Sequence, residues 1–408
     1  MKNSGVEWIG EIPDEWNIYR NKNAFTCKKE IVGKKSNSTQ LLSLTTGGIK
    51  CKDINNAEGK LPESFDTYQY VKKNDVVMCL FDLDMSAVFS GISQYDGMIS
   101  PAYKVLSCQD RTNPLFIHYW FSYIFDGRKF NHYAKNIRYT LNYDEFAILP
   151  IPLPPVYTQQ RIASYLDSKC SKIEETIQNQ QQVIEKLKAY KQSLITEVVT
   201  GKIKIKNGKV CGKYESYKKS GIDWIETIPD TWCVCKIKYI CTMQAGKTLS
   251  SEMISEKGLY PVYGGNGKRG FYTEYNTEGK YILIGRQGAL CGNVHLVNGK
   301  FWATEHAVVT TPNRDVGINY LFYLLSSMNL NQYVSSTAAQ PGLSVSTIIN
   351  LKTIIIKSID DQKSIVDYLD KKCTAIDTAI EQKQKLIEKL TEYKKSLIYE
   401  CVTGKKEC

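Results

Sequence analysis

The chain has 408 residues, 42% of them hydrophobic, and a net charge of +11, which indicates a soluble globular protein of two or three domains. No apolar run approaches the roughly 18 residues of a membrane span, and the amino-terminal sequence lacks the apolar core of a signal peptide. We therefore expect a cytoplasmic protein without membrane contact. The positive charge favours a polyanionic partner but does not identify one.

The thirteen cysteines predict a reduced chain, because they are scattered and include no C-x-x-C pair. Cys233, Cys235 and Cys241 form the tightest group, but their spacing differs from that of a zinc knuckle. We therefore expect no metal site in this chain.

The chain opens with a segment that occurs twice. Residues 4–16, SGVEWIGEIPDEW, return at 220–232 as SGIDWIETIPDTW. A second segment, EKLKAYKQSLITEVVTGK (185–202), returns as EKLTEYKKSLIYECVTGK (388–405), with thirteen of eighteen positions identical at an offset of 203. The stretches between the repeats, 17–157 and 233–360, differ from each other. This order indicates a tandem duplication with a common frame and two diverged inserts.

Both inserts follow the same coarse plan of strands, an aromatic helix and a polar loop. The runs DVVMCLF and YILIGR are strand-like, and each precedes a stretch rich in aromatic residues. The predicted helices are 113–125 and 318–329, and the predicted polar loops are 136–146 and 336–347.

Each insert leads into a long predicted helix, at 158–200 and at 361–404. Apolar residues recur there in alternating steps of four and three, which is the heptad pattern of a coiled-coil seam. Polar residues interrupt both seams at equivalent positions, Gln180 with Lys383 and Lys191 with Lys394. Because an isolated helix would leave its seam in water, we predict that the two copies pair with each other. The apolar seam residues are Leu166, Ile173, Ile177, Ile184, Leu187, Leu194, Leu369, Ile376, Ile380, Ile387, Leu390 and Leu397.

The predicted fold class is therefore α+β, arranged as a pseudo-two-fold tandem duplication. Two α+β domains, at 1–157 and 220–360, are separated by a long antiparallel intramolecular coiled coil. Residues 201–219 form a basic linker between the first helix and the second domain. Gly201 and Gly404 are expected to end the two helices, because glycine readily adopts the left-handed conformation of a helix C-cap.

Two glycine-rich motifs resemble phosphate-binding loops but lack a required part. GGNGKRG (264–270) contains G-x-G-x-x-G, yet a strand-like sequence follows where a dinucleotide site needs a helix. We therefore predict a hairpin loop that carries Asn266, Lys268 and Arg269. AGKT (245–248) ends like a P-loop, but Cys241 stands where the first glycine belongs.

A Mg²⁺-dependent nuclease is an alternative function, because paired carboxylates and a lysine can polarise a phosphodiester. Pro13-Asp14 is followed by Glu58-Gly59-Lys60, and Pro229-Asp230 by Glu278-Gly279-Lys280. Both Pro-Asp pairs belong to the repeated opening segment, and both E-G-K triples are expected at turns, which weakens this alternative. Glu305-His306 fits a satisfied structural pair better than an acid–base couple. We therefore predict no catalytic site.

The repeated motifs resemble those of the specificity subunits of type I restriction-modification systems. The resemblance spans essentially the whole chain and rests on the twice-written opening segment, on YLD-x-K at the start of each long helix and on SLI-x-E with VTGK at its end. IPLPPVYTQQRI (151–162) also resembles the family's passage into the first helix, whereas IIIKSIDDQKSI (354–365) lacks the prolines. In that family, two target-recognition domains are held apart by two antiparallel helices.

The resemblance implies a non-enzymatic chain that reads a split, asymmetric target in double-stranded DNA. Such a chain recruits two modification (methyltransferase) subunits and restriction (translocase–nuclease) subunits. It binds no cofactor itself, and S-adenosylmethionine, ATP and Mg²⁺ are expected on the partner subunits.

Basic, amide and tyrosine side chains of the inserts are the candidates for DNA contact, because lysines position a protein on phosphates and loop side chains read base edges. The candidates are Lys28, Lys29, Lys34, Lys35, Arg138, Tyr139, Asn266, Lys268, Arg269, Arg286, Gln287 and Gln340. The competing function is a coiled-coil adaptor that spaces two protein-binding modules. Specific binding of a DNA duplex would distinguish the two.

Overall fold

The computed structural model describes residues 1–53, 62–134, 139–288, 291–334 and 342–408. The chain forms two compact units: unit 1 comprises Met1–Gln180 with Gln384–Cys408, and unit 2 comprises Gln181–Lys383. Both boundaries lie within the long helices, so each unit contains a segment of both helices. The units therefore differ from the predicted division into inserts and a separate coiled coil.

Unit 1 begins with twelve short strands and two helices. Its strands are β1 (Lys2–Asn3), β2 (Glu11–Ile12), β3 (Asn17–Arg20), β4 (Phe25–Lys28), β5 (Leu42–Thr45), β6 (Gly48–Cys51), β7 (Gln69–Val71), β8 (Val76–Met78), β9 (Ser90–Ile92), β10 (Gly97–Ile99), β11 (Lys104–Cys108) and β12 (Pro150–Leu153). Its helices are α1 (Pro114–Asp126) and α2 (Tyr143–Ile148).

Helix α1 confirms the predicted aromatic helix within one residue at each end. It begins after Asn113, whose side chain accepts the Phe116 N–H, with Pro114 in the first turn. Its aromatic face, including Trp120 and Phe121, is fully buried in the core of unit 1. The polar loop predicted at 136–146 is wrong from Tyr143 onward, because a capping box starts α2 there, while 136–138 lie outside the described residues.

The first long helix, α3 (Val156–Val199), leads into unit 2. The remaining strands are β13 (Ile205–Lys206), β14 (Lys209–Val210), β15 (Tyr217–Ile222), β16 (Ile225–Pro229), β17 (Cys233–Lys236), β18 (Cys241–Ala245), β19 (Tyr260–Gly264), β20 (Gly267–Tyr272), β21 (Thr277–Gly285), β22 (Val294–Ala303), β23 (Ala307–Pro312) and β24 (Lys352–Ile355). The remaining helices are α4 (Ile318–Ser327), α5 (Val345–Asn350) and α6 (Ile359–Val402).

Helix α4 confirms the second predicted aromatic helix and ends two residues early. The second polar loop, predicted at 336–347, is helical from Val345 because the Ser344 hydroxyl caps α5 by accepting the Thr347 N–H. Its residues 336–341 lie outside the described residues.

Each unit contains its own antiparallel sheet, and the two sheets have the same arrangement of strands. In unit 1 the strand order is β4-β11-β8-β9, and in unit 2 it is β18-β23-β21-β22, extended by β19 and β20. In each sheet the second strand of this order pairs antiparallel with both the first and the third, so the first and third strands run in the same direction. Their carboxyl ends therefore lie at the same edge of the sheet. Each unit has one such loop edge: the loops after β4 and β8 in unit 1, and those after β18 and β21 in unit 2.

The segment predicted as a basic linker is an ordered part of unit 2. Residues of β13 and β14 pair as a hairpin, and Ile205 is buried. The Gly208 N–H donates to the Ser364 hydroxyl at the start of α6. The lysines of this hairpin are exposed, and Ile205 is its residue in the core of unit 2.

The long helices pack against each other within each unit. Unit 1 joins the amino-terminal part of α3 to the carboxyl-terminal part of α6, and unit 2 joins the opposite parts, so the helices run antiparallel. Leu166 and Leu397 belong to the core of unit 1, whereas Leu194 and Leu369 belong to the core of unit 2. All twelve predicted seam residues are buried or half-buried.

The seam lysines form ion pairs across the helix pair. In unit 1 the Lys394 ammonium contacts the Glu174 carboxylate, and in unit 2 the Lys191 ammonium lies 2.7 Å from Asp377. The two pairs are equivalent under the duplication, because Glu174 corresponds to Asp377 and Lys191 to Lys394. A polar residue within an apolar seam favours the register in which its charge is paired.

A buried glutamine connects each long helix to its aromatic helix. In unit 1 the Gln159 side chain accepts the Asn113 N–H and donates to the carbonyls of Arg111 and Pro154. Gln362 makes the same three contacts in unit 2, with the N–H of Gly317 and the carbonyls of Asp315 and Ile356. Gln159 and Gln362, which are equivalent under the duplication, therefore hold the start of each long helix against the start of its aromatic helix.

The repeated opening segment packs on the repeated end of a long helix. In unit 1 Pro13 and Trp16 lie against Gly404, and in unit 2 Pro229 and Trp232 lie against Gly201. Each glycine has a positive φ, 72° at Gly404 and 78° at Gly201, and confirms the predicted helix ends. Among the described residues, no helix is long and apolar enough to cross a membrane.

Candidate nucleic-acid interface

In unit 2 the hairpin of β19 and β20 carries three of the predicted DNA contacts. Asn266 lies exposed at its turn, but Lys268 and Arg269 lie on β20 and not in the loop, which corrects the prediction. Both cations are exposed, and the Lys268 ammonium lies 3.8 Å from the centre of the Phe271 ring. Strand β21 follows, so the dinucleotide site stays excluded.

Two further candidates, Arg286 and Gln287, leave the loop edge at the carboxyl end of β21. They lie beside the hairpin turn because the backbones of Gly265 and Gly285 are in direct contact, which only glycine permits. A Cβ atom on Gly265 would lie 2.9 Å from the Gln287 carbonyl oxygen. The structure therefore brings together Asn266, Arg286 and Gln287, which the sequence placed twenty residues apart.

Among the residues described, several buried polar atoms around this point have no hydrogen-bond partner. They are Arg286 Nε, His295 Nε2, Thr304 Oγ1, Glu305 Oε2 and His306 Nδ1. The Glu305 carboxylate lies 3.3 Å from His306 Nε2, so the two side chains pair as expected, although each keeps one unpartnered atom among the described residues. Burial lowers the pKa of His295, which lies under Gly267. Sequence reasoning named Arg286 and the Glu305-His306 pair separately, but it gave no signal that His295 and Thr304 belong with them.

In unit 1 the predicted lysines lie at the loop edge, with Lys28 at the end of β4 and the others after it. Lys28 donates to both carboxylate oxygens of the buried Asp75 at 2.7 Å, so its charge is already balanced within the fold. Lys29, Lys34 and Lys35 are exposed, the last two on a 3₁₀ turn over Gly33–Ser38. These three remain available for phosphate contact.

The loop after β8 is an exposed part of the loop edge that sequence reasoning did not single out. Its Met85 side chain is 82% exposed, although the loop is held from below by the Arg128 guanidinium, which donates to the carbonyls of Leu83 and Ser86. Tyr139, a predicted contact, lies beside this loop because its carbonyl accepts the Leu83 N–H. Arg138 and Gln340, two other predicted contacts, lie outside the described residues.

The geometry for the nuclease alternative is not assembled in the described part of the chain. Gly279 pairs with Gly299 within β21, so the turn expected at Glu278-Gly279-Lys280 is wrong. Glu58-Gly59-Lys60 lies outside the described residues. Among the residues that are described, no group of three or more His, Cys, Asp or Glu side chains lies close enough to hold a metal ion.

These features define a duplicated two-unit α+β protein whose units share a helical frame and differ at their loop edges. The family model of the type I restriction modification DNA specificity domain matches residues 13–188 and 229–391. The chain therefore belongs to this family.

Relatives and a solved structure agree with this assignment. The specificity subunit of the type I restriction enzyme EcoprrI from Escherichia coli is 46% identical over 136 residues, which cover 32% of this chain and 33% of that subunit. The MjaVIII specificity subunit of Methanocaldococcus jannaschii is 26% identical over 64% of this chain and 63% of its own length. The chain thus matches less than two thirds of either subunit. A solved chain from work on complex assembly and conformational transition of the type I R-M system has the same fold, with a TM-score of 0.69, 14% identity and coverage of 96% and 98%.

Proposed function

We propose that this chain is the non-catalytic specificity subunit of a type I restriction-modification complex and reads a split DNA target. The single observation that carries this proposal is a frame conserved within the chain beside diverged loop edges. Each unit repeats the same sheet core, aromatic helix and helix pair, while the residues at its loop edge differ. Each unit therefore reads one half-site, and the two half-sites have different sequences.

Exposed cations support phosphate contact at both loop edges. Lys29, Lys34 and Lys35 flank the sheet of unit 1, and Lys268 and Arg269 flank that of unit 2. Cations of this kind position a protein on the duplex without reading its sequence. Sequence is then read by the loop side chains beside them, among them Tyr139, Asn266 and Gln287.

A repeated exposed surface supports two copies of one protein partner. Tyr190 and Tyr393 are equivalent under the duplication, yet they are 56% and 53% exposed, so packing between the helices does not account for them. Lys169 and Lys372, also equivalent, lie over the rings of Tyr165 and Tyr368 at 5.7 and 5.9 Å. These residues form one tyrosine–lysine face in each unit: Tyr165, Lys169 and Tyr393 in unit 1, and Tyr190, Tyr368 and Lys372 in unit 2. We assign one modification subunit to each face. Restriction subunits complete the complex, and S-adenosylmethionine, ATP and Mg²⁺ bind to the partner subunits.

Mapping of methylated adenines tests the reading function. The full chain is expressed with its modification subunits in a host that lacks other methyltransferases. The expected result is methylation at one asymmetric sequence interrupted by an unread gap of constant length. Methylation that follows no such sequence would favour the adaptor function. So would a complex of the protein subunits that forms but methylates no DNA.

The tyrosine–lysine faces are tested by counting modification subunits in the purified complex by native mass spectrometry. Tyr190→Ala or Tyr393→Ala is expected to reduce two bound subunits to one, and the double variant to none. Tyr239→Ala is a matched control, because this tyrosine is 66% exposed and lies under Lys238 outside the long helices. Retention of both subunits by the double variant would contradict this surface.

The absence of intrinsic catalysis is tested with the purified chain alone. Plasmid incubated with the chain, Mg²⁺ and S-adenosylmethionine is expected to remain neither nicked nor methylated. Nicking that follows the chain through successive purification steps would favour the nuclease instead.

A further inference from the structure

Among the candidate contacts that the structure describes, Arg286 is a half-buried cation without an ion-pair partner. Its side chain is half-buried at the end of β21, and its Nε has no hydrogen-bond partner. Among the residues that the structure describes, no acidic side chain forms an ion pair with Arg286.

The surroundings of Arg286 are polar and incompletely satisfied. Its backbone N–H donates to the His306 carbonyl at 3.0 Å, and the side chains of Glu305 and His306 each keep one buried atom without a partner among the described residues. A buried donor or acceptor without a partner destabilises the fold, so several at one point require an explanation. A polar ligand that supplies the missing donors and acceptors provides one.

Exposed polar side chains lie beside Arg286 at the loop edge. The backbones of Gly265 and Gly285 are in direct contact, which holds the turn between β19 and β20 against the end of β21. Gln287 and Asn266 are exposed there. Amide side chains beside a cation suit the donors and acceptors on the edge of a nucleic-acid base.

We propose that Arg286 reads a guanine in the half-site of unit 2, a step that rests on the proposed function and specifies its ligand. The guanidinium donates two parallel hydrogen bonds to guanine O6 and N7, the commonest specific contact of arginine in the major groove. Lys268 and Arg269, exposed on β20, take the phosphate contacts instead.

Unit 1 has no such reader at the equivalent position. The carbonyls of Leu80 and Arg286 accept the N–H of Leu141 and Leu343 in the same place of each unit, so Leu80 corresponds to Arg286. Leu80 is buried and apolar. The guanine read in this way therefore belongs to one half-site only.

The test selects targets from a randomised duplex library with the full chain in its complex with modification subunits. Arg286→Ala is expected to relax the preference for guanine at one position by about 5- to 150-fold, the loss of one good bidentate pair, and to leave every other position unchanged. Arg314→Ala is the matched control, because Arg314 is exposed on a turn of the same unit. It should leave all positions unchanged.

A duplex with 7-deazaguanine at that position tests the same contact without altering the fold. It removes the N7 acceptor, so the wild-type complex should lose affinity, whereas Arg286→Ala should lose nothing further. Equal weakening of all sequences by Arg286→Ala with a shallower salt dependence would mean a phosphate contact and overturn the assignment. Normal wild-type binding of the 7-deazaguanine duplex would overturn it as well, even if the variant fails to fold. A wild-type complex that selects no sequence would refute the proposed function and the reader together, whereas a selected target indifferent to Arg286 refutes the reader alone.

Discussion

At the scale of single residues, Lys28 shows how a surface cation becomes part of a core. Its ammonium bonds both oxygens of Asp75, whose side chain is only 4% exposed and also accepts the Lys72 N–H. The sequence placed Lys28 among the DNA contacts because it belongs to a basic run. The carboxylate that pairs with it lies 47 positions away.

Replacement of Lys28 separates these two roles. Lys28→Met should lower the free energy of unfolding of unit 1 by about 1–3 kcal/mol, because it leaves the buried Asp75 carboxylate without its charged donor. Lys29→Met, at the exposed neighbour, should change stability by less than about 0.5 kcal/mol and weaken DNA binding at low salt. Urea denaturation measures the first effect. A Lys28 variant as stable as the Lys29 variant would show that the pair does not stabilise the fold.

The glycines that end the long helices are fixed by both conformation and space. Gly404→Ala and Gly201→Ala should destabilise their units by more than about 1–2 kcal/mol, because a left-handed backbone is combined with overlap on Pro13 or Pro229. Gly5→Ala and Gly221→Ala are matched controls, with φ of 73° and 67° and nothing within 4 Å of the added Cβ. Thermal unfolding compares each pair. Equal losses in variant and control would mean that the proline contact contributes nothing.

At the scale of elements, the interruption of each seam by Lys191 or Lys394 is explained by a partner on the opposite helix. Lys191 and Lys394 interrupt the apolar pattern at equivalent positions, and each meets a carboxylate that the duplication also repeats. The sequence predicted the pairing of the helices from the apolar residues, but it did not identify Glu174 and Asp377. Both carboxylates lie off the seam, where periodicity carries no information about contacts.

Charge reversal tests this register. Lys394→Glu should destabilise unit 1, because two carboxylates then meet, and Glu174→Lys in the same chain should restore most of the loss. The interaction energy of the double-mutant cycle should be about 0.5–1 kcal/mol, since both side chains are partly exposed. The same exchange at Lys191 and Asp377 provides an internal replicate in unit 2. A cycle without coupling in either unit would contradict the observed pairing.

At the scale of the whole molecule, the length of the long helices should set the unread gap of the DNA target. Deletion of 177–183 together with 380–386 removes one heptad from each helix between the two ion pairs, so seam phase and both pairs are retained. We expect the recognised bases to stay the same and the gap to shorten by about 10 Å, roughly three base pairs. Methylation mapping of the variant measures the gap.

Deletion from one helix alone is the control for this prediction. It shifts one seam against the other and should impair folding, which circular dichroism and solubility would register. A folded double-deletion variant with an unchanged gap would show that the helices do not set the spacing. The adaptor function would then gain support.

The sequence by itself determined the duplication, the two aromatic helices, the long helices and the glycines that end them. These are local signals: apolar spacing within a few turns, a proline or asparagine at a helix start, and a left-handed glycine at its end. The family resemblance added the expected function. None of these inferences required knowledge of which segment contacts which.

Only the tertiary structure decided how the repeats combine into units. The opening segment of the first repeat packs on Gly404 of the second, and that of the second packs on Gly201 of the first. Equally, it brought Arg286 beside Glu305 and His306, and Lys28 beside Asp75. Each of these contacts joins residues far apart in the chain, and its free energy comes from the burial and pairing of both partners together. Such contacts leave no periodic pattern in one sequence. From the sequence alone, the opening segment of a repeat could pack on the long helix of its own copy or of the other copy, and only the packing selects one arrangement.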